Sequence, residues 1–336
     1  MVAKKGLAEL GEFGLIERIR QQAVPAPYLR LGIGDDCSIQ AVAAEDELMT
    51  STDLLLEGVH FNLEWTDFES LGYKSAAVNI SDIAAMGGVP RCLYLGLAVP
   101  ETVSVEQLEQ FVAGFVAAAQ AYGAVLAGGD TCRSGVALVI SVTAEGTAPQ
   151  GQAVCRSGAR PGDLVFVSGT LGDSALALRM LQQGKQPSAQ LAFRHHRPQA
   201  RVTLGRRLAE TGLATAMIDV SDGLVADLGH ILSASGLGAV LHLEEIPLSS
   251  GFSEVLIRQP EWLELALTGG EDYELLFTVA SESAGDIVRL AAELALPLTR
   301  IGTLQAEPGL LILQQDGGHY PFQRSGFDHF SSDKIY

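Results

Sequence analysis

Basic residues are scarce in this chain: 22 Lys and Arg stand against 40 Asp and Glu, a net charge of -18 over 336 residues. Such a surface repels nucleic acid and anionic lipid wherever salt leaves a field, so neither is expected as a partner. It repels small polyanions as well, and phosphate chemistry on it would have to run through metal cations or local arginines. Cysteine is equally thin. Cys37, Cys92, Cys132 and Cys155 stand far apart, make no C-x-x-C or Cys/His cluster, and suggest neither a zinc site nor a disulfide framework. Reduced thiols in a cytosol are the expectation, which makes the expected location cytoplasmic. Long apolar runs are missing too. Met1-Val-Ala-Lys-Lys-Gly leads into Leu7–Glu12 with two acids and no apolar leader core, and other apolar runs carry Gly or polar breaks, so neither export nor a membrane span is expected.

The familiar nucleotide and hydrolase signatures are also absent. There is no Walker A sequence, and Gly32-x-Gly34 lacks the third glycine of a dinucleotide loop because Cys37 stands there. No kinase catalytic loop and no G-x-S-x-G elbow occurs. Asp219 to Gly223 fails as an EF-hand loop: its glycine comes too early and His230 occupies the place of the bidentate Glu.

What is present fits a compact α+β enzyme of two αβ domains. The length exceeds one ordinary core, and 47% hydrophobic residues with 37 glycines exclude a disordered or fibrous chain. Strand-like and helix-like stretches alternate. Leu48 to Leu56 reads as a strand, Ser70 to Met86 as a helix carrying Asp82 near its C-terminal end, and Val105 to Tyr122 as a helix with a Ser104/Gln107 capping box, stopped by Gly123. Strands follow at Ala124 to Ala127 and Val136 to Glu145. Turn residues at Pro149-Gln-Gly-Gln152 set the border near 150, giving domains 1–150 and 151–336. Beyond it we expect strands at Leu164 to Val167, Met217 to Val220, Ala239 to Leu243 and Tyr273 to Val279, and around Ile301 and Leu311. Helices are expected at Asp173 to Gln183, Arg201 to Glu210, Leu224 to Ser233 and Glu282 to Leu294. Alternation alone does not fix the sheet order.

Four segments set Asp beside Gly, Ser or Thr: Gly32-Ile-Gly-Asp35-Asp36, Ser51-Thr52-Asp53, Gly128-Gly129-Asp130-Thr131 and Asp219-Val-Ser221-Asp222-Gly223. Asp82, in Asn79-Ile-Ser81-Asp82, adds a helical carboxylate. Each alone reads as an ordinary turn or cap. Together they supply the hard oxygen ligands magnesium prefers and glycines that let backbone approach phosphate. Carboxylates gathered about 4 Å apart would repel by roughly 4 kcal/mol per pair at an effective dielectric near 20, so a shared site demands several divalent cations.

The run Gly11-Glu-Phe-Gly-Leu-Ile16, then Leu31-Gly-Ile-Gly-Asp-Asp36, Ser51-Thr-Asp53, Gly58-Val-His60-Phe61 and Ala77-Val-Asn-Ile-Ser-Asp-Ile-Ala-Ala-Met-Gly87 resembles the thiamine-monophosphate kinase family in order and spacing. Gly128-Gly-Asp-Thr131, Arg156 to Asp163, Asp219 to Leu224, Gly269-Gly-Glu-Asp-Tyr-Glu274 and Gly326-Phe-Asp-His-Phe330 extend the resemblance over nearly the whole chain. The resemblance implies the aminoimidazole-ribonucleotide-synthetase-like fold, N-terminal sheets pairing across a homodimer, and nucleotide bound near the subunit interface. The N-terminal domain would serve dimerisation and metal/ATP binding, and the C-terminal domain would complete the site. It implies metal ligands at Asp36, Ser51, Thr52, Asp53, Asp82, Asp130, Asp219 and Asp222, ATP contacts at Gly129, Asp130, Arg156 and Ser221, and substrate contacts at His60, Glu271 and Phe327. The implied reaction moves the γ-phosphoryl of Mg-ATP onto the phosphate of thiamine monophosphate. Cys132 departs from a common Thr, and Phe327 stands where an aromatic, often Tyr, is usual, which keeps a stacking ring without a hydroxyl.

No catalytic base is expected, because a phosphate monoester with a second pKa near 6 is already largely ionised at neutral pH. Arg156 is favoured for phosphate, with Arg133 and Arg160 competing for the role, while His195-His196 reads as a solvated loop pair. The rival readings are another ATP-using member of the superfamily, such as a selenophosphate synthetase or a hydrogenase-maturation protein, and a non-catalytic nucleotide-binding regulator. Each of the two enzymes is expected to carry a cysteine near one terminus, which the start and the final Lys334-Ile-Tyr336 do not match.

Overall fold

The computed structural model describes residues 7–34 and 37–322. The described residues divide into two compact units: one holds those up to Ile83 with Gly88–Gly151, the other Ala84–Gly87 with 152–322. No helix among the described residues is long and apolar enough to cross a membrane.

In the first unit α1 (Leu7–Gln22), the short strands β1 (Leu29–Leu31) and β2 (Ile39–Gln40), β3 (Asp46–Leu56), α2 (Phe68–Ala85), β4 (Val89–Val99), α3 (Val105–Ala121), β5 (Val125–Arg133) and β6 (Val139–Pro149) follow in order. A four-stranded sheet has the order β3-β6-β4-β5. Its apolar face is written as a period-two pattern: Ile140, Val142 and Ala144 of β6 are buried while Ser141, Thr143 and Glu145 are half-buried on the other face. On α3 the stripe Val105, Leu108, Phe111, Val112, Phe115, Val116 and Ala119 is buried, and both halves of the Ser104/Gln107 capping box form. A Cβ at Gly114 would stand 1.8 Å from the Glu69 carbonyl oxygen, so this glycine lets α3 lie directly on the start of α2.

Two expectations need correction here. The strand expected to end at Ala127 runs on to Arg133, so Gly128-Gly129-Asp130 lies inside β5 rather than in a turn after it. The ladder with β4 is irregular at Leu93/Tyr94, and a Cβ on Gly129 would meet the Leu95 carbonyl oxygen at 2.0 Å, so glycine permits a close strand approach that sequence suggests as a turn. Residues 89–99, given no element by the sequence, form β4 despite Pro90 and Gly96, residues ordinarily depleted in strands.

The second unit contains β7 (Leu164–Ser168), α4 (Asp173–Gln182), α5 (Ala189–His196), α6 (Val202–Thr211), β8 (Ala214–Asp219), α7 (Leu224–Ser235), β9 (Gly238–His242), α8 (Ser250–Leu256), α9 (Leu265–Thr268), β10 (Leu275–Val279), α10 (Ala284–Leu294), β11 (Leu298–Gln305) and β12 (Gly309–Leu313). Its six-stranded sheet has the order β12-β9-β11-β7-β10-β8. Both faces are covered, which is why β7 and β10 are apolar without alternation. Val165, Val167, Ile218 and Leu276 face a core with α4 and α7, while Leu164, Phe166, Met217 and Phe277 face one with α6 and α10. Phe166 and Phe277 stack at 5.7 Å between centroids.

Candidate functional site

The first unit gathers one set of hard oxygen donors. Ser51 and Asp53 are two residues apart on β3 and therefore share a face, the one on which Met49 and Leu55 are buried. The Ser51 hydroxyl donates to an Asp82 carboxylate oxygen, so the last turn of α2 and the middle of β3 meet there. Thr52 is one residue out of phase. Its hydroxyl donates to the Val142 carbonyl at 3.1 Å and lies 3.1 Å from the Thr143 hydroxyl, so its side chain is not brought together with Ser51, Asp53 and Asp82.

His60 follows β3 in a turn that folds back on the strand: its N–H donates to the Leu56 carbonyl at 2.9 Å, and the Leu56 N–H donates to its Nδ1 at 3.0 Å. An Nδ1 that accepts a backbone N–H leaves the proton of the neutral ring on Nε2, aimed away from the turn.

Asp130 stands apart from this set within one chain. It is exposed and pairs across the β4/β5 ladder with Gly96, whereas Asp53 lies on the opposite outer strand, β3, paired with Val142 of β6. Three strand spacings separate Asp53 from Asp130, roughly 14 Å along the sheet. Two aspartates cannot share one ion over that span. Asp36 and Phe327 lie outside the described residues.

The second unit assembles the other set. Asp219 is the last residue of β8, paired with Leu275 and buried, and Ser221 and Asp222 form the link from β8 into α7. The loop carrying Glu271 is bonded directly to that link. Val220 N–H donates to the Glu274 carbonyl at 2.8 Å, Tyr273 N–H to the Val220 carbonyl at 2.9 Å, and Glu271 N–H to the Ser221 carbonyl at 2.8 Å. Glu271 and Tyr273 both hold positive φ, 69° and 52°, a conformation that costs about 1–2 kcal/mol per residue and persists because these bonds impose it. Arg156 is exposed, whereas its rival Arg133 pairs with Glu101 at 3.2 Å.

Three residues of this set had no assigned role in the sequence. Asp227, on the first turn of α7, accepts from the N–H groups of Asp222 at 3.1 Å and Gly223 at 3.0 Å. Burial and then the like charges of Asp219 and Asp222 push its carboxyl up to about 8. His230, one turn further on, offers a ring nitrogen, and donor atoms of Asp222, Asp227 and His230 lie within 4.8 Å of one another. The signal for Asp227 and His230 was the i, i+3 spacing on the helix after Asp222, which carries little weight without the fold. A buried cluster in which like charges add to the cost of ionising a carboxyl fits a divalent cation in its donor chemistry: hard carboxylate oxygens with excess negative charge.

Asp272 is the third. It accepts from Gly172 N–H at 2.6 Å and Ser174 N–H at 3.4 Å, and burial pushes it up to about 7. His195, expected in a solvated loop, is instead buried at the end of α5 with Nδ1 2.9 Å from the Ser174 hydroxyl. The helix α5 is only eight residues long, too short a stretch to reveal a buried face by pattern.

The raised Asp272 value has a checkable consequence. In the unfolded chain this carboxyl ionises near 4, while the folded chain holds the proton until about 7. Its contribution to stability is therefore present below pH 4 and lost as pH rises to 7, by as much as about 4 kcal/mol. Asp272→Asn is expected to gain on the unchanged protein over that window. Urea denaturation of both without divalent cation, from pH 4 to 8, should show the two midpoints moving apart in favour of the variant, and parallel midpoints would reject the assignment.

A family model described as AIR synthase related protein, N-terminal domain, matches residues 34–148, and one described as AIR synthase related protein, C-terminal domain, matches residues 160–312. The thiamine-monophosphate kinase of Salmonella typhimurium is 40% identical over 331 residues, 96% of this chain and 99% of that protein. Among solved structures, the thiamine-monophosphate kinase from Stenotrophomonas maltophilia superposes with a TM-score of 0.82 at 42% identity, covering 90% of this chain and 96% of that one. A structure described as AaThiL complexed with AMPPCP and TMP superposes with a TM-score of 0.76 at 35% identity, covering 98% of this chain and 100% of that one.

Proposed function

The chain belongs to the thiamine-monophosphate kinase family within the AIR synthase related proteins, and we propose from that membership that it phosphorylates thiamine monophosphate to thiamine diphosphate at the expense of ATP. The observation that carries the reading is likeness over 96% of the chain to an enzyme of that name. The two acid sets fit it independently, because joining two polyanions needs positive charge that a chain of net charge -18 does not supply.

Each set has a role in this reading. Asp36, Ser51, Asp53, Asp82, Asp130, Asp219 and Asp222 would hold several magnesium ions, while the Thr52 hydroxyl is turned to Val142 and Thr143. Gly129, Asp130, Arg156 and Ser221 bind ATP, and His60, Glu271 and Phe327 bind thiamine monophosphate. Magnesium bound there neutralises the phosphates and the charge that develops on the transferring group. The protein's own work is positional. Ser51 fixes the Asp82 carboxylate, the turn at Leu56 fixes the His60 ring, and the bonds between the 219–222 link and the Glu271 loop fix metal ligands and substrate ligand together. The acceptor phosphate, largely ionised above a pKa near 6, attacks in line with no side chain removing a proton. Glu271 faces the thiazolium cation, and Phe327 stacks on the heterocycle, a contact worth roughly 0.5–2 kcal/mol.

The active form is a homodimer in the cytosol. Support for the dimer is the open face of the four-stranded sheet, where Leu48 and Leu54 are 46% and 59% exposed, and the separation of Asp130 from Asp53, which a second copy resolves by bringing its β5 edge to this chain's β3 edge. Support for the cytosol is four free cysteines, three of them exposed.

Purified protein incubated with thiamine monophosphate and Mg-ATP is expected to form thiamine diphosphate and ADP in equal amounts. Nucleotide binding without either product would replace the reading with that of a regulator, and turnover of ATP with another acceptor only would replace the substrate.

A further inference from the structure

The loop that presents Glu271 is fixed through its backbone, but a carboxylate on three rotatable bonds needs a second restraint if it is to face a cation at a set distance. One side chain is placed to supply it. His195 is 6% exposed, enters from the end of α5, and has its Nδ1 3.6 Å from a Glu271 carboxylate oxygen and 2.9 Å from the Ser174 hydroxyl. Ser174 is itself held at the start of α4, where its N–H donates to Asp272, the residue after Glu271. The arrangement forms a closed circuit: the 271–272 dipeptide anchors α4, α4 presents Ser174, Ser174 orients the ring, and the ring reaches back to Glu271.

We propose that His195 is a positioning residue for thiamine monophosphate: its Nδ1–H, bonded to the Ser174 hydroxyl at 2.9 Å and standing 3.6 Å from a Glu271 carboxylate oxygen, holds that carboxylate by charge–dipole attraction where the substrate's thiazolium cation binds. This rests on the reading of Glu271 as a substrate ligand. A buried histidine retained for packing alone would answer to volume. One retained for Nδ1 answers to where the donor sits.

That difference sets the test. Asn places its amide nitrogen near the Nδ1 position, Gln places its own near Nε2, and Phe keeps the ring volume without a donor. We expect His195→Gln and His195→Phe to raise KM for thiamine monophosphate about tenfold, with kcat and KM for ATP within about twofold. His195→Asn should stay within about threefold of the unchanged protein on all three. Glu271→Gln, measured beside them, should raise KM for thiamine monophosphate at least as much as His195→Phe. Melting temperatures of the four proteins report folding, and if His195→Phe does not fold, the Asn and Gln pair decides. Equal KM values for Asn and Gln, or a ranking that follows melting temperature, would overturn the positioning role while leaving Glu271 in place. An unchanged KM in Glu271→Gln would instead remove Glu271 from the substrate site, and the proposal with it.

Discussion

Asp53→Asn is expected to lower turnover by at least about 10³-fold while leaving the fold intact. Asp53 sits on an exposed stretch of β3, where an isosteric amide disturbs no core packing. Its charge, however, shares a face with Ser51, which holds the Asp82 carboxylate, and removing one charge from a cation site at about 4 Å forfeits roughly 4 kcal/mol, the equivalent of that rate factor. Steady-state formation of thiamine diphosphate checks the rate, and circular dichroism and melting temperature check the fold. A folded variant with near-normal turnover would remove Asp53 from the mechanism.

The same variant distinguishes where Asp130 acts. If Asp130 works beside the Asp53 of a second copy, a heterodimer of Asp53→Asn with Asp130→Asn has one site bearing both changes and one bearing neither. Co-expressed and randomly paired, the two inactive chains should recover about a quarter of full activity, since half the dimers are mixed and half of their sites are intact. No recovery would mean that the two carboxylates act within one chain, against their positions on opposite outer strands.

Sequence made parts of this legible for identifiable reasons. The helix α3 could be read because a capping box and an unbroken apolar stripe are local signals, and β7 and β10 because buried strands are continuously apolar. Asp82 near the end of its helix and Asp219 at the end of its strand follow from the same local patterns. What was not legible is mostly what depends on neighbours in space. Nothing local reveals the order β3-β6-β4-β5, and so nothing shows that Asp53 and Asp130 occupy opposite edges. Gly129 suggests a turn until Leu95 is seen against it. The titratable residues Asp227, Asp272 and His195 give no sign in sequence of being buried; partners at the 222–223 link and at the start of α4 make that possible.

Glu274→Ala should be the most destabilising change in the second unit, by about 3–5 kcal/mol or enough to prevent folding. Glu274 is fully buried, and its carboxylate accepts from Arg194 Nη2 at 2.6 Å, from Arg201 Nε at 2.6 Å and Nη2 at 2.5 Å, and from the Ser168 hydroxyl at 2.5 Å. Removing it leaves two guanidinium groups, 13% and 16% exposed, without their common counter-charge; the loss of one partner of a buried ion pair is costly because the other stays desolvated. The backbone of the same residue accepts from Val220, so the disturbance should spread to the link that carries Asp219 and Asp222. The physical cause is testable apart from the loss itself. If stranded charge is responsible, replacing the whole group, Glu274→Leu with Arg194→Met and Arg201→Met, should recover much of the stability in urea denaturation, because apolar side chains of similar volume can substitute for a buried ion cluster. If the triple replacement is as unstable as Glu274→Ala, hydrogen-bonded geometry around Ser168 and Leu275 is what Glu274 provides, and the charge argument is wrong.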